Sequence, residues 1–146
     1  MAHILGTPYK RGKSDVIQAY NRPDTDIEEG VAIVETSNVT LKKFAGGNDV
    51  PVGVMGGTEH KGVSAVLCGA EVFVQVAAAV EAIALTDKVY ITSTGVFTNV
   101  ADQNTQINAT WVKCDGATIW DDGIVNTGSA KRTNQKCACI SFRGGF

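Results

Sequence analysis

A regular alternation of apolar and polar residues is the feature that most constrains how this chain folds. The stretch AEVFVQVA, residues 70–77, would place its three valines on one face of a strand and Glu71, Phe73 and Gln75 on the other. A period of two residues is typical of a strand with one face buried. We therefore predict a half-buried strand in this stretch.

A second stretch predicts two strands joined by a tight turn. DKVYITSTGVFTNV, residues 87–100, reads as a strand, a turn at Thr94–Gly95 and a second strand. Val89 and Ile91 would share one face of the first strand, while Tyr90 and Thr92 would share the other. The pattern favours an antiparallel pair of strands here.

The sequence WVKCDGATIW, residues 111–120, predicts a hairpin. Asp-Gly between two strand-like runs is a favoured two-residue hairpin loop, because both positions accept a positive φ. Counting outwards from the loop would place Trp111 directly opposite Trp120. A competing turn at Asp122–Gly123 would instead make residues 117–121 the middle strand of a meander.

The remaining apolar runs complete an all-β prediction. GVAIVE, NVTLKKF, VPVGVMGG and the closing KCACISF read as strands, and sixteen glycines suggest many turns. AAAVEAIAL, residues 77–85, is rich in good helix formers and would form a two-turn helix if packing supports it. We predict a β-sandwich or a small β-barrel over residues 29–146, with one short helix at most.

Composition excludes several classes of partner. The 146 residues are 44% hydrophobic and 19% charged, which suits one globular domain with a real core. A net charge of −2 gives no general attraction to nucleic acid or anionic membrane. No apolar run approaches the ~20 residues of a membrane helix, and Met1–Leu5 is too short for a signal-peptide core. We expect folding in a cytoplasm, with neither nucleic acid nor membrane as a partner.

Metal and cofactor sites are not predicted. Cys137 and Cys139 would share a strand face and, with Cys114, are a candidate zinc site, but the usual spacing of paired ligands is absent. DTDIEEG has calcium-loop character, yet Gly30 falls one position late for the turn that such a loop needs. Cysteines in a reducing compartment are expected as small buried residues without disulfides.

Catalytic residues are not predicted either. His60 beside Glu59 is the candidate base with an orienting carboxylate, but sequence neighbours point apart in a strand. No nucleophile and base occur at a spacing that would bring them together. We predict that the protein is not an enzyme.

The stretch GTPYKRGKS, residues 6–14, ends like a phosphate-binding loop. The motif needs four residues between its glycines, a strand before it and a helix after it. Here five residues separate Gly6 from Gly12, only Met1–Leu5 precede it, and Pro8 removes an N–H donor. We interpret the stretch as part of a basic arm that is either solvated or docked on a partner.

Residues 1–28 as a whole are predicted to form an extended N-terminal arm. They are polar, carry two of the three prolines and show no sustained period of 2 or 3.6 residues. Such a segment cannot bury enough apolar surface to offset its own ordering entropy. The residues expected to bind a partner are Ile4, Leu5, Tyr9, Lys10, Arg11, Lys13 and Tyr20.

Four stretches follow the arm in the order IEEGVAIV, VPVGVMGG, GVSAVLCGAEVFVQVAAAV and TDKVYITSTGVFTNV. This order resembles the tailed-phage capsid decoration proteins, also called structural cement proteins, over most of the chain. Thr86 stands before Asp87 where the family often has Gly, and neither WVKCDGATIW nor CACISFRGGF fits a family pattern. These are structural motifs, so the resemblance transfers no catalytic residue.

The resemblance implies a virion protein on the capsid exterior that stabilises the shell by bridging neighbouring major capsid protein subunits. It implies the major capsid protein and further copies of the chain as partners, in a homodimer or homotrimer, and no cofactor. The alternatives are a phage tail or baseplate component and a β-sandwich carbohydrate-binding module. A sugar site would use Trp111 or Trp120 as an exposed aromatic, whereas we favour burial of both.

Overall fold

The described part of the chain forms eleven short strands. A computed structural model of the chain describes residues 16–21, 27–36, 40–59, 62–69, 71–77, 83–112, 120–121 and 137–146. All eleven strands lie in two antiparallel sheets, and these described ranges contain no helix. The all-β prediction is confirmed.

The first sheet has five strands in the order β1-β5-β4-β2-β3. Its strands are β1 (Val16–Asn21), β2 (Ala32–Glu35), β3 (Leu41–Lys43), β4 (Gly53–Glu59) and β5 (Gly62–Cys68). In β4, Gly56 and Gly57 form a bulge opposite Ser64, because Met55 pairs with Ala65 and Thr58 with Val63. Glycine suits such a bulge because it tolerates the irregular backbone.

The second sheet has six strands in the order β10-β11-β9-β7-β8, with β6 also paired to β11. Its strands are β6 (Val72–Gln75), β7 (Lys88–Ile91), β8 (Phe97–Thr98), β9 (Thr105–Val112), β10 (Trp120–Asp121) and β11 (Cys137–Ser141). Tyr90 pairs with Thr98, and Gly95 takes a φ of 83° in the turn between β7 and β8. The predicted turn is confirmed, and Gly95 supplies the left-handed conformation that it needs.

The two sheets share one hydrophobic core. Ala32, Val54 and Val66 of the first sheet pack in the same cluster as the inward-facing residues of the second sheet. The second-sheet members are Val72, Val74, Val89, Ile91, Phe97, Ile107, Trp111, Ala138 and Ile140. This face-to-face packing is that of a β-sandwich.

A second apolar cluster lies on the opposite face of the first sheet. Its buried members are Val31, Ile33, Leu41, Met55 and Ala65. Ile27, in the connection from β1 to β2, packs against this cluster. β2, β4 and β5 therefore each bury residues on both faces of the sheet, which explains why neighbouring residues in them are apolar rather than strictly alternating.

Backbone hydrogen bonds connect the sheets at the start of β2. Gln75 N donates to Gly30 O at 2.8 Å, and Ala32 N donates to Gly95 O at 2.9 Å. An isolated parallel bridge joins Val76 to Phe97. A single bridge is not a ladder, and the described strands form no closed barrel.

The prediction of a half-buried strand at residues 70–77 is wrong in one respect. The three valines do face the shared core, as the alternation predicts. However, Phe73 and Gln75 on the other face are also buried, and Gln75 is only 1% exposed. Gln75 Nε2 donates to Glu29 O at 2.9 Å and to Glu28 Oε2 at 3.0 Å, so the segment preceding β2 covers this face.

The predicted opposition of Trp111 and Trp120 is also wrong. Trp111 pairs with Ile140, and Trp120 pairs with Ala138, so both tryptophans lie along β11. β9 and β10 run in the same direction on the same side of β11, whereas a hairpin requires antiparallel neighbours. The other edge of β9 is paired with β7 as far as Thr110. The Asp115–Gly116 and Asp122–Gly123 turns lie outside the described residues.

Two further predictions concern local structure. Of the predicted helix at residues 77–85, the described residues Ala77 and Ile83–Leu85 are not helical, and the rest lie outside the described ranges. Within the predicted arm, Val16–Asn21 forms β1, which pairs antiparallel with β5. Residues 1–15 and 22–26 of the arm lie outside the described residues.

Candidate interaction surface

The predicted partner-binding residues fall almost entirely outside the described ranges. Of these seven residues, only Tyr20 is placed, in β1, where its backbone pairs with Val63 of β5. The other six are Ile4, Leu5, Tyr9, Lys10, Arg11 and Lys13. The arm hypothesis therefore stays a prediction that the described residues do not test.

The catalytic and metal candidates are placed only in part. His60 and Cys114 lie outside the described residues, and Cys139 is buried in β11. Cys68 Sγ donates to the Arg143 carbonyl. Among the described residues, no three His, Cys, Asp or Glu side chains cluster as metal ligands, and no helix is long and apolar enough to span a membrane.

Trp111 does not offer an exposed aromatic surface. It is buried in the shared core, and its Nε1 donates to Lys88 O at 3.2 Å. The prediction of burial is confirmed for Trp111, while nothing is described of the Trp120 side chain. A sugar-stacking platform at Trp111 is therefore wrong.

Two loops at one end of the second sheet are braced by Asp87. Its Oδ2 accepts hydrogen bonds from Ala84 N at 2.9 Å and from Asn99 Nδ2 at 2.9 Å. The hydrogen bonds from Asn99 and from the backbone of Ala84 lower the pKa of Asp87 below its ordinary value of 3.8. The ionised carboxylate thus connects the turn before β7 to the loop after β8.

The two loops that Asp87 joins carry two exposed aliphatic side chains. Leu85 is 52% exposed in the turn before β7, and Val100 is 50% exposed directly after Asn99. Val100 N donates to Thr98 Oγ1 at 3.2 Å, and Asn104 Nδ2 donates to Val100 O at 3.0 Å. The backbone on both sides of Val100 is therefore held, so a partner would meet these side chains without first ordering a loop.

The loop after β3 has the same construction. Asp49 Oδ2 accepts from Ala45 N at 3.0 Å, and its Oδ1 accepts from Lys42 Nζ at 2.9 Å. The hydrogen bond from Lys42, followed by that from Ala45, lowers the pKa of Asp49. Val50, the next residue, is 71% exposed.

These exposed residues lie at opposite ends of the β7–β8 hairpin. Leu85 and Val100 flank its open end, where the chain enters β7 and leaves β8. The loop that carries Val50 packs on its closed end, since a Cβ at Gly46 would lie 3.4 Å from Ser93 Cβ and a Cβ at Gly95 would lie 3.3 Å from a Lys43 side-chain carbon. The four residues of β7 separate the two ends by about 10 Å. We call Leu85 and Val100 the open-end contact and Val50 the closed-end contact.

Comparison with models of protein families, with curated proteins and with solved structures gives no match to this chain. The candidate surface is therefore defined by its own chemistry: exposed aliphatic side chains on loops that charged hydrogen bonds hold in place.

A depression of about 430 Å³ also lies on the second sheet. It sits where β7 and β9 lose register, because Lys88 pairs with Thr110 but Val89 pairs with Ile107. Its lining residues are Lys88, Val89, Gln106, Ile107, Asn108, Ala109 and Phe146. Lys88 is the one charged residue in this lining, and no base and nucleophile converge there.

The sequence carried no usable signal for the two braces. Asp87 and Asn99 are twelve residues apart, and a hydrogen bond over that spacing follows no local motif. Ala45 N donates to Asp49 Oδ2 from four residues earlier in the chain, whereas the Asx turn that an aspartate predicts bonds the backbone two residues after it.

Proposed function

We propose that this protein is a non-enzymatic structural protein of a tailed-phage virion. It binds the exterior of the capsid and bridges neighbouring major capsid protein subunits. The observation that carries the proposal is the pair of braced, exposed aliphatic contacts at opposite ends of the β7–β8 hairpin. A protein that clamps a seam needs two separate contacts on one stiff body, and the hairpin provides them.

The energetics suit this role. Full burial of a Leu or Val side chain contributes about 1.5–3 kcal/mol, and Leu85, Val100 and Val50 each have at least half of their surface still to bury. Each contact alone would be weak. Two contacts that engage neighbouring subunits make the second binding step intramolecular, so affinity for an assembled shell exceeds affinity for one subunit. The protein would then bind capsids in preference to unassembled capsid protein.

The experiment uses capsids assembled from the major capsid protein encoded in the same genome. The purified chain is added to capsids that lack it, and binding is measured by co-sedimentation and by electron microscopy of the decorated shells. Leu85→Asp and Val50→Asp would each lower the affinity at least tenfold, because about 1.4 kcal/mol of lost burial suffices for that change. Saturating wild-type protein would also raise the temperature at which the shell comes apart.

Two matched variants control for the added charge. Thr86→Asp and Asn48→Asp introduce a carboxylate at exposed positions of the same two loops without removing an aliphatic side chain. They are expected to bind nearly as the unsubstituted chain does. Full binding by the Leu85 and Val50 variants would refute the contacts, and binding to purified tails but not to capsids would refute the capsid role.

The N-terminal arm enters this proposal as a separate prediction. Removing residues 1–15 leaves β1 intact and removes Ile4, Leu5, Tyr9 and the basic residues. If these residues bind the shell, the truncated chain would fold normally and decorate capsids more weakly. Unchanged decoration would assign all of the binding to the β-domain.

A further inference from the structure

The edges of the two sheets differ in whether they can accept another strand. On the second sheet, backbone groups at the outer edges of β6 and β8 already bond to other parts of the chain. Gln75 N of β6 donates to Gly30 O at 2.8 Å, and Phe97 O of β8 accepts from Ala77 N at 3.0 Å. β10 has only two residues. These edges offer no continuous ladder to a partner.

One edge of the first sheet is protected against pairing. β3 has only three residues, and two of them are lysines. Lys42 is fixed by its ion pair with Asp49 at 2.9 Å, in the loop that follows the strand. A short edge strand with lysines resists the addition of another strand, because its charges would lose water and face one another.

The other edge of the first sheet has none of this protection. β1 has six residues with the sequence VIQAYN, which contains no charged residue and no proline. The irregularity in its pairing with β5 comes from an extra residue in β5, since Val16 pairs with Cys68 and Ile17 with Val66. β1 therefore stays regular along its whole length. In the order of the described strands β1 stands at the end, where only β5 pairs with it, and none of these strands bonds the backbone groups on its other side.

We infer that a second copy of this chain pairs with β1 along this edge, antiparallel, about a two-fold axis perpendicular to the sheet. The two five-stranded sheets then form one continuous sheet. A two-fold interface uses the same surface on both copies, so each position of the edge must tolerate its own counterpart. An uncharged strand meets that condition, whereas pairing through β3 would oppose lysine to lysine.

The symmetry also determines the register. Directly opposed residues of an antiparallel pair lie on the same face of the sheet, and faces alternate along each strand. The residue numbers of two directly opposed residues must therefore both be odd or both be even. In a symmetric pair this places one residue of β1 directly opposite the same residue of the second copy. The longest overlaps of β1 with its counterpart place either Gln18 or Ala19 at that point. This inference goes beyond capsid binding and does not depend on it.

The mass of the full chain in solution is the first test. Light scattering over a series of protein concentrations is expected to approach twice the 15.4 kDa of one chain. Edge pairing alone is modest in area, so the mass should rise with concentration by mass action. A chain that stays monomeric at its highest attainable concentration overturns the inference. A trimer overturns it as well, since a perpendicular two-fold axis pairs two edges only.

A cysteine placed at the symmetry point is the second test. Opposed residues of an antiparallel pair have Cα atoms about 4.5–5.5 Å apart, which suits a disulfide. Under mild oxidation, either Gln18→Cys or Ala19→Cys in the full chain should form a covalent dimer, linked between identical positions in peptide maps. The rate should exceed that of Gln103→Cys, at an exposed loop position, by at least about tenfold, because pairing gives a high effective concentration.

The unsubstituted chain, oxidised in the same way, gives the background rate of covalent dimer formation through its own cysteines. If a dimer forms but neither position cross-links faster than Gln103→Cys, the dimer uses another surface and the inference is wrong. Binding to capsids is measured separately, so either result leaves the proposed function to its own test.

Discussion

Gly53 begins β4 at a point where β5 leaves no room for a side chain. A Cβ built there would clash with the carbonyl oxygen of Val66 and lie 3.2 Å from Leu67 Cα. Both atoms belong to the backbone of a paired strand, so no flexible side-chain end can move aside. Gly53→Ala must therefore push β4 and β5 apart or bend β4 where Val54 enters the core.

The expected cost follows from two opposing effects. Forcing an extra carbon into a packed site costs about 1–3 kcal/mol, occasionally more. Replacing Gly by Ala also lowers the entropy of the unfolded chain, which returns about 0.4–1 kcal/mol. Because the contact is with strand backbone, the first effect should lie at its upper end. We expect a net loss of about 2 kcal/mol in the free energy of unfolding.

Urea unfolding and thermal melting measure this loss. For a chain of this length, each kcal/mol lowers the melting temperature by about 2–4 °C, so Gly53→Ala should melt about 4–8 °C below the unsubstituted protein. Gly144→Ala is the matched control, since a Cβ there meets nothing within 4 Å. It should unfold at the same temperature or slightly higher. If Gly53→Ala melts within about 1 °C of Gly144→Ala, the close approach of β4 and β5 is not real.

Two further predictions concern buried and bracing polar groups. Gln75→Glu would replace the amide that donates to Glu28 Oε2 and Glu29 O by a carboxylate, so the free energy of unfolding should fall at pH 7. It should partly recover at lower pH, as the new carboxylate is protonated. Equal losses of unfolding free energy at pH 5 and pH 7 would contradict this. Asp87 has its pKa lowered in the folded state, so its contribution to stability is present above the unfolded value near 3.8 and is lost as pH falls through the lower folded value. Asp87→Asn should lower the free energy of unfolding at pH 7 and make that free energy fall less steeply as the pH is lowered below about 4. An unchanged dependence on acid pH would show that Asp87 does not link the loops.

Short-range features of the fold were predictable from the sequence. The β7–β8 hairpin is confirmed because its turn is local: Thr92 N bonds to Val96 O, and Gly95 takes the positive φ between them. The alternation of Val72, Val74 and Val76 correctly assigned the face that meets the core. Such features depend on neighbouring residues, whose geometry a period or a turn residue fully specifies.

Long-range pairing decided the features that the sequence misassigned. WVKCDGATIW has good local hairpin chemistry, but β7 and β11 occupy the two edges of β9, and β11 comes from the end of the chain. Gln75 looks like a solvent-facing residue by alternation, yet residues preceding β2 cover it. Both outcomes depend on segments more than twenty residues away, and no local pattern contains that information.

Some features of the fold and of the candidate surface were determined by the sequence alone, and others only by the tertiary structure. The sequence by itself determined that the chain is all-β, because periodicity and turn residues act over a few residues. Tertiary structure decided which aliphatic residues stay outside the core, and it placed the exposed Leu85 and Val100 on two loops that a hydrogen bond from Asn99 to Asp87 joins across twelve residues. It also decided that β1 stands at the end of the order of the described strands, since strand order depends on the burial of whole faces, and burial is summed over contacts far apart in sequence.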